Sequence, residues 1–179
     1  MKNLKFSRLF AAVTFVAILA LAGCKQQVEE SKPSIYGTWT ASQYEKYTIT
    51  ETTFAALNSY EGNNLKIFED DETSGRIFIK YTKAYEESYT EPADPDDWIH
   101  YKDEESNFEM WYRYTENAPD VGKWYAIYYF DLTDDAVKIS AAAGPIPSCD
   151  TLEEAKETFT VANGYMSKAA GKYSSCTRE

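Results

Sequence analysis

The chain has 179 residues, 44% of them hydrophobic and 16% aromatic, with a formal charge of −11. This length suits one domain with tails, and the aromatic content excludes a disordered or collagen-like polymer. The acidic balance argues against nucleic acid as a partner, because phosphate binding needs a basic stripe.

Lys2, Lys5 and Arg8 form a basic start, followed by Leu9 to Leu21, apolar apart from Thr14. As a helix these thirteen residues span about 20 Å, short of the roughly 30 Å hydrocarbon core, so they read as the apolar region of a secretory signal. Leu21-Ala22-Gly23-Cys24 resembles the lipobox of bacterial lipoproteins. That resemblance implies a signal peptide over 1–23, cleavage before Cys24, a diacylglyceryl thioether on Cys24 and usually a further palmitate-like chain on the new amino terminus. Each buried CH₂ adds about 0.8 kcal/mol, so two or three chains anchor firmly. The alternative is an ordinary secreted protein whose signal happens to end in cysteine.

Losing 1–23 removes three basic residues and no acidic one, which takes the formal charge from −11 to −14. Such a surface repels anionic headgroups, so anchoring rests on the lipid. Residues 24–34 comprise the lipidated cysteine and a polar tether, Lys25 to Ser34, that reaches at most about 35 Å. Lys25, following the cysteine, is not the aspartate associated with inner-membrane retention, which favours the outer membrane or cell surface. Cys149 and Cys176 remain as an even pair in an oxidising compartment, where a disulfide is the favoured expectation. It would close a 28-residue loop worth about 3.5 kcal/mol.

Residues 35–179 read as one mainly β domain. Short alternating runs occur at Tyr36–Ser42, Lys46–Thr50, Thr53–Leu57, Leu65–Glu69, Arg76–Tyr81, Trp98–Lys102, Phe108–Tyr114, Lys123–Leu132 and Ala136–Ser140. Turn residues separate them. About eight strands linked without intervening helices predict an antiparallel meander, with closure into a barrel removing its edges. In Lys123–Leu132 both faces are apolar, as in a strand with a core on one side and a cover on the other. Tyr85 to Asp97, acidic and holding two prolines, reads as an excursion between strands.

One C-terminal helix is predicted. Asp150 with Glu153, or Thr151 with Glu154, has capping-box spacing; Leu152, Ala155, Phe159 and Ala162 share a stripe, and Asn163-Gly164 stops it.

Gly37-Thr38-Trp39 resembles the G-x-W of the lipocalins, in which the Trp closes the narrow end of a barrel and the Gly permits close passage. Ala136–Ser140, the last strand of this reading, offers Lys138 where that family usually packs an arginine on the Trp. More broadly, the lipobox, Tyr36-Gly37-Thr38-Trp39, Tyr47–Phe54, Trp124–Tyr129 and Thr151–Thr160 resemble small bacterial lipoproteins of unknown function.

Fifteen tyrosines and four tryptophans suit either core filling or a contact surface. Alternation selects Tyr112, Tyr114, Tyr128 and Phe130 as candidates for an inner, ligand-contacting wall. The acidic runs Glu69–Glu72 and Asp94–Asp97 lack the EF-hand pattern, and a zinc helix, P-loop and G-x-S-x-G are absent from the sequence. His100 stands alone, without a recognisable triad. No catalytic residue, metal ligand or cofactor is assigned. The expected function is a non-catalytic, membrane-anchored protein that binds a small apolar or amphipathic ligand. The alternative is a surface module that meets an envelope or host protein through an exposed aromatic face.

Overall fold

The computed structural model describes residues 32–179. The signal segment, Cys24 and most of the tether lie outside the described residues. The strands are β1 (Gly37–Ser42), β2 (Glu45–Ile49), β3 (Phe54–Ala56), β4 (Glu61–Glu69), β5 (Gly75–Ser88), β6 (Ile99–Asp103), β7 (Phe108–Thr115), β8 (Trp124–Phe130), β9 (Ala136–Ala141) and β10 (Ser174–Arg178); the helix α1 is Leu152–Thr158. No helix among the described residues is long and apolar enough to cross a membrane.

Eight strands close into an antiparallel barrel in the order β1-β2-β3-β4-β5-β8-β9-β10, with β10 returning to β1. This up-and-down closure is consistent with a lipocalin-like fold. The meander read from sequence is therefore present, with two differences. β6 and β7 leave the barrel: Ala84–Ser88 of β5 pair with β7, and β7 pairs with β6, giving a three-stranded sheet beyond the rim. The supposed excursion thus starts as strand, and only Pro95–Asp97 forms a short 3-10 turn. The closing strand β10 went unanticipated because its sequence, Ser-Ser-Cys-Thr-Arg, lacks the large apolar residues that mark strands.

Turn chemistry sets the reversals. Between β4 and β5, Asp71 accepts hydrogen bonds from the Ser74 hydroxyl (2.7 Å) and from the Thr73 amide (2.7 Å) and hydroxyl (3.0 Å). These bonds, the Ser74 hydroxyl foremost, hold its pKa down to about 2. Asn58, Asn64, Asn107 and Asp131 take positive φ, which short polar side chains tolerate better than most.

An eight-strand barrel is just wide enough for side chains to fill it. Alternation turns Trp39, Tyr47, Ile49, Phe54, Ile77, Ile79, Tyr81, Tyr125, Ile127, Ile139 and Cys176 inward, and all are buried. The rings pack in sequence: Tyr47 on Phe54 (5.8 Å), Phe54 on Tyr60 (5.7 Å), Tyr60 on Tyr125 (5.3 Å) and Tyr125 on Tyr81 (5.0 Å). Each such side chain taken from water contributes about 1.5–3 kcal/mol.

The opposite face of β5 and β8 is covered rather than wet. Phe78, Ala126, Tyr128 and Phe130 are buried on the side where α1 and the segment leading to β10 pack. The Arg76 guanidinium donates to the carbonyls of Lys156 (2.8 Å) and Phe159 (3.3 Å), tying the helix end to the wall. The capping box is Thr151 with Glu154: the Glu154 amide donates to Thr151 Oγ1 (3.2 Å) and the Thr151 amide to Glu154 Oε2 (3.1 Å). The helix is shorter than its apolar stripe suggested, because Asn163 Nδ2 donates to the carbonyls of Glu157 (2.7 Å) and Thr158 (3.1 Å), closing the end.

The expected disulfide is corrected. Cys149 and Cys176 are both buried free thiols. Cys176 shares the inward face of β10 with Ser174 and Arg178, whereas Cys149 bridges Trp124 on the outward face of β8. The wall of the barrel separates them, and no bridge spans it.

Candidate functional site

The two ends of the barrel differ. At one end Ile35, Trp39 and Arg178 form a plug. The Trp39 indole N–H donates to the Ile35 carbonyl (2.7 Å), and the Arg178 guanidinium lies over the indole (4.1 Å). Trp39 is fully buried in this plug, and Gly37 lies against the Arg178 guanidinium. The arginine comes from β10, not from Lys138 of β9, which instead reaches Asp131 (2.7 Å).

At the other end a recess of about 240 Å³ opens, lined by Tyr60, Tyr81, Tyr85, Tyr114 and Tyr125 on one side and by Ala142–Gly144, Ile146 and Pro147 on the other. Each tyrosine arrives by a definite local device. Tyr60 ends the β3–β4 turn, where its carbonyl accepts the Ala56 amide (3.0 Å). Tyr81 stands where β5 leaves the barrel; its amide donates to the Lys123 carbonyl (3.0 Å) and its carbonyl accepts the Gly122 amide (2.9 Å). Tyr85 and Tyr114 are direct partners across β5 and β7, rings 5.7 Å apart at 64°. Tyr125, on β8, donates its hydroxyl to the Ala142 carbonyl (2.6 Å). The facing segment is held by Ala143, whose amide donates to the Tyr165 carbonyl (2.8 Å). Gly144 is required there, since a Cβ would stand 2.5 Å from the Tyr165 ring.

Burial is the leading cause that pushes the phenols of Tyr60, Tyr81, Tyr85 and Tyr125 upward. All four therefore stay neutral through the physiological range. The Tyr60 hydroxyl is buried with no hydrogen-bond partner among the described residues. Tyr60 also borders a second recess of about 220 Å³. A third, of about 290 Å³, lies at the plugged end between Lys32–Tyr36, Glu69, Glu72 and Tyr129.

The projecting sheet continues the recess outward. Tyr85, Ile99, Tyr101, Phe108, Met110, Tyr112 and Tyr114 share one of its faces, and Tyr89 lies against Phe108 (6.1 Å). Tyr89, Ile99 and Tyr101 are 61%, 53% and 49% exposed. The opposite face is polar and satisfies itself. Arg113 lies over Trp98 (4.3 Å) and bonds Glu86 (2.9 Å), while His100 stacks on Trp111 (4.6 Å) and bonds Glu109 (2.6 Å). His100 thus stands on an open sheet face rather than at the bottom of a cleft.

The four candidate wall residues separate. Tyr114 lines the recess, and Tyr112 lies beside it on the projecting sheet, stacked on Tyr85 (6.0 Å). Tyr128 and Phe130 are corrected: they face outward from the barrel, stacked on each other (5.5 Å) beneath Lys168 and Tyr173. With both faces of β8 apolar, alternation identifies the two faces but not which of them is inner. Tyr60, Tyr81, Tyr85 and Tyr125 were missed as a group, although Tyr125 was legible as a member of the other face of β8. No family model, curated protein or solved structure matches this chain.

Proposed function

We propose that the protein is a lipid-anchored, non-catalytic binding protein of the bacterial cell envelope that holds its ligand at the tyrosine-lined mouth of the barrel. The observation that carries this reading is the division of the interior: Tyr47 and Phe54 pack on to Tyr60, and the recess of about 240 Å³ opens against Tyr60, Tyr81 and Tyr125 at the rim. Tyrosines present apolar faces with a polar tip, the usual chemistry of a contact site. A short apolar or amphipathic ligand fits this geometry better than a long chain running down the barrel axis. The chain enters the described domain at the plugged end, where Lys32–Ile35 lie. A lipid on Cys24 would hold the protein in the outer membrane or at the cell surface.

A second reading rests on the exposed aromatic face around Tyr89, Ile99 and Tyr101. It makes the projecting sheet an interaction or adhesin-type surface for an envelope or host protein.

Native mass spectrometry of the full-length chain, taken from its own membrane in nonionic detergent, tests the first reading. A small molecule retained at about one per chain and lost in Tyr114→Ala supports it. A ligand-free mass, or equal retention by the variant, overturns it.

A further inference from the structure

The mouth combines several features that together select a ligand charge. No charged side chain lines it, and burial keeps Tyr60, Tyr81, Tyr85 and Tyr125 neutral. The cations within two residues of its lining tyrosines are engaged: Lys80 over the Trp124 ring (5.6 Å), Lys83 with Glu61 (3.6 Å), Lys123 with Asp120 (3.0 Å) and Arg113 with Glu86 (2.9 Å). The Tyr85 hydroxyl donates to Glu87 (2.9 Å), and the whole chain carries −11. An anion therefore meets repulsion with no counter-charge, whereas a cation meets the negative faces of several rings within an acidic field.

Ring orientation agrees. Tyr85 and Tyr114 stand at 64° to each other, and Tyr60 stands edge-on to Tyr81 (84°) and Tyr125 (74°), which are themselves stacked at 24°, so walls meet at corners at Tyr85–Tyr114 and at Tyr60. A primary ammonium is strongly hydrated and favours a charged acceptor in exchange for its water, yet no carboxylate lines the recess. A methylated ammonium sheds its water cheaply and needs only ring faces. The recess, about 240 Å³, falls below the roughly 300 Å³ at which drug-sized sites begin, which suits such a headgroup with a short substituent.

We propose that the tyrosine-lined mouth is an aromatic cage for a small methylated ammonium ion of the choline type. This inference rests on the mouth being the binding site and adds the ligand's chemical class.

The test is calorimetric titration of the full-length chain in maltoside detergent with choline and with its uncharged carbon isostere, 3,3-dimethylbutan-1-ol. Choline is expected to bind saturably and the isostere at least about tenfold more weakly. Tyr85→Ala and Tyr114→Ala should each weaken choline about five- to tenfold, and Tyr114→Phe, which keeps the ring, about twofold or less. Dihexanoylphosphatidylcholine, titrated below its micelle concentration, distinguishes the source. Binding tighter than choline indicates a lipid headgroup and weaker binding a free solute, either in keeping with the cage.

Equal affinity for the isostere, no saturable choline binding, or indifference to the tyrosine variants overturns the cage. Should an alanine variant fail to fold, the comparison of choline with its isostere on the unaltered chain decides alone. An uncharged molecule retained at the mouth in native mass spectrometry would defeat the cage while supporting the mouth reading, so the two fail separately.

Discussion

Arg178 lies over Trp39 with its guanidinium carbon 4.1 Å from the indole centroid, and the same side chain donates to the carbonyls of Ser34 (2.5 Å), Tyr36 (2.7 Å) and Asp134 (2.5 Å). One residue of the last strand thereby joins the segment entering the barrel, the plug inside it and the turn after β8. A planar fork can satisfy that geometry and a point charge cannot. Arg178→Lys should lower stability by about 1–2 kcal/mol, seen as a lower urea midpoint at unchanged slope. Gly37 has φ +143° and a Cβ there would stand 2.5 Å from Arg178 Nη1, so Gly37→Ala should destabilise through the same contact. An unchanged midpoint in both variants would mean the plug contributes nothing.

Tyr60→Phe is expected to stabilise the fold. Its hydroxyl is buried without a partner among the described residues, and burying a hydroxyl unpaired costs about 1–3 kcal/mol. Removing the oxygen keeps the stacking on Phe54 and the edge contacts with Tyr81 and Tyr125. A melting temperature that rises is the expected result; a fall would show that the oxygen has a partner in solution.

The thiols give a redox test and a pH dependence. Without reductant, the unfolded chain should expose Cys149 and Cys176 to alkylation in full, and the folded chain should protect both. Addition of reductant that alone frees them would restore the bridge rejected above. Burial first, then the nearby Glu45, pushes the Cys176 thiol from 9.0 up to about 12. The folded state thus holds that proton more tightly than the unfolded state. Its contribution to stability is complete below pH about 9 and is lost progressively as pH rises toward about 12, because there the unfolded chain binds fewer protons. The buried phenols, all raised, add to the loss above pH about 10. Urea midpoints measured from pH 7 upward should fall along this course, and less steeply in Cys176→Ala.

The anchor is tested in cells. Cys24→Ala should abolish incorporation of labelled palmitate and release the protein from the membrane fraction. Label retained by the variant would remove the lipoprotein reading.

Periodicity and punctuation made much of this protein legible in its sequence. Alternating runs broken by polar turns specify a mainly β meander, because side chains on a strand repeat every two residues. Gly37 and Trp39 marked a G-x-W at the start of the first strand, and two overlapping capping-box pairs, Asp150 with Glu153 and Thr151 with Glu154, marked the start of the helix to within one residue. Local chemistry decides such features within a few residues of chain. Long-range pairing decides the others. β5 runs past Tyr81 because β7 supplies Ala84–Ser88 with hydrogen bonds, although Glu86, Glu87 and Ser88 carry little strand preference of their own. β10 exists because β1 and β9 offer it two edges, despite a sequence of small polar residues. The mouth is the clearest case. Its tyrosines, at positions 60, 81, 85, 114 and 125, come from the β3–β4 turn, from β5 (Tyr81 and Tyr85), from β7 and from β8, and no single spacing links them. Only closure of the barrel and departure of the projecting sheet bring them to one rim. For the same reason the inner and outer faces of β8, both aromatic, became distinguishable only once α1 and the C-terminal segment had covered one of them.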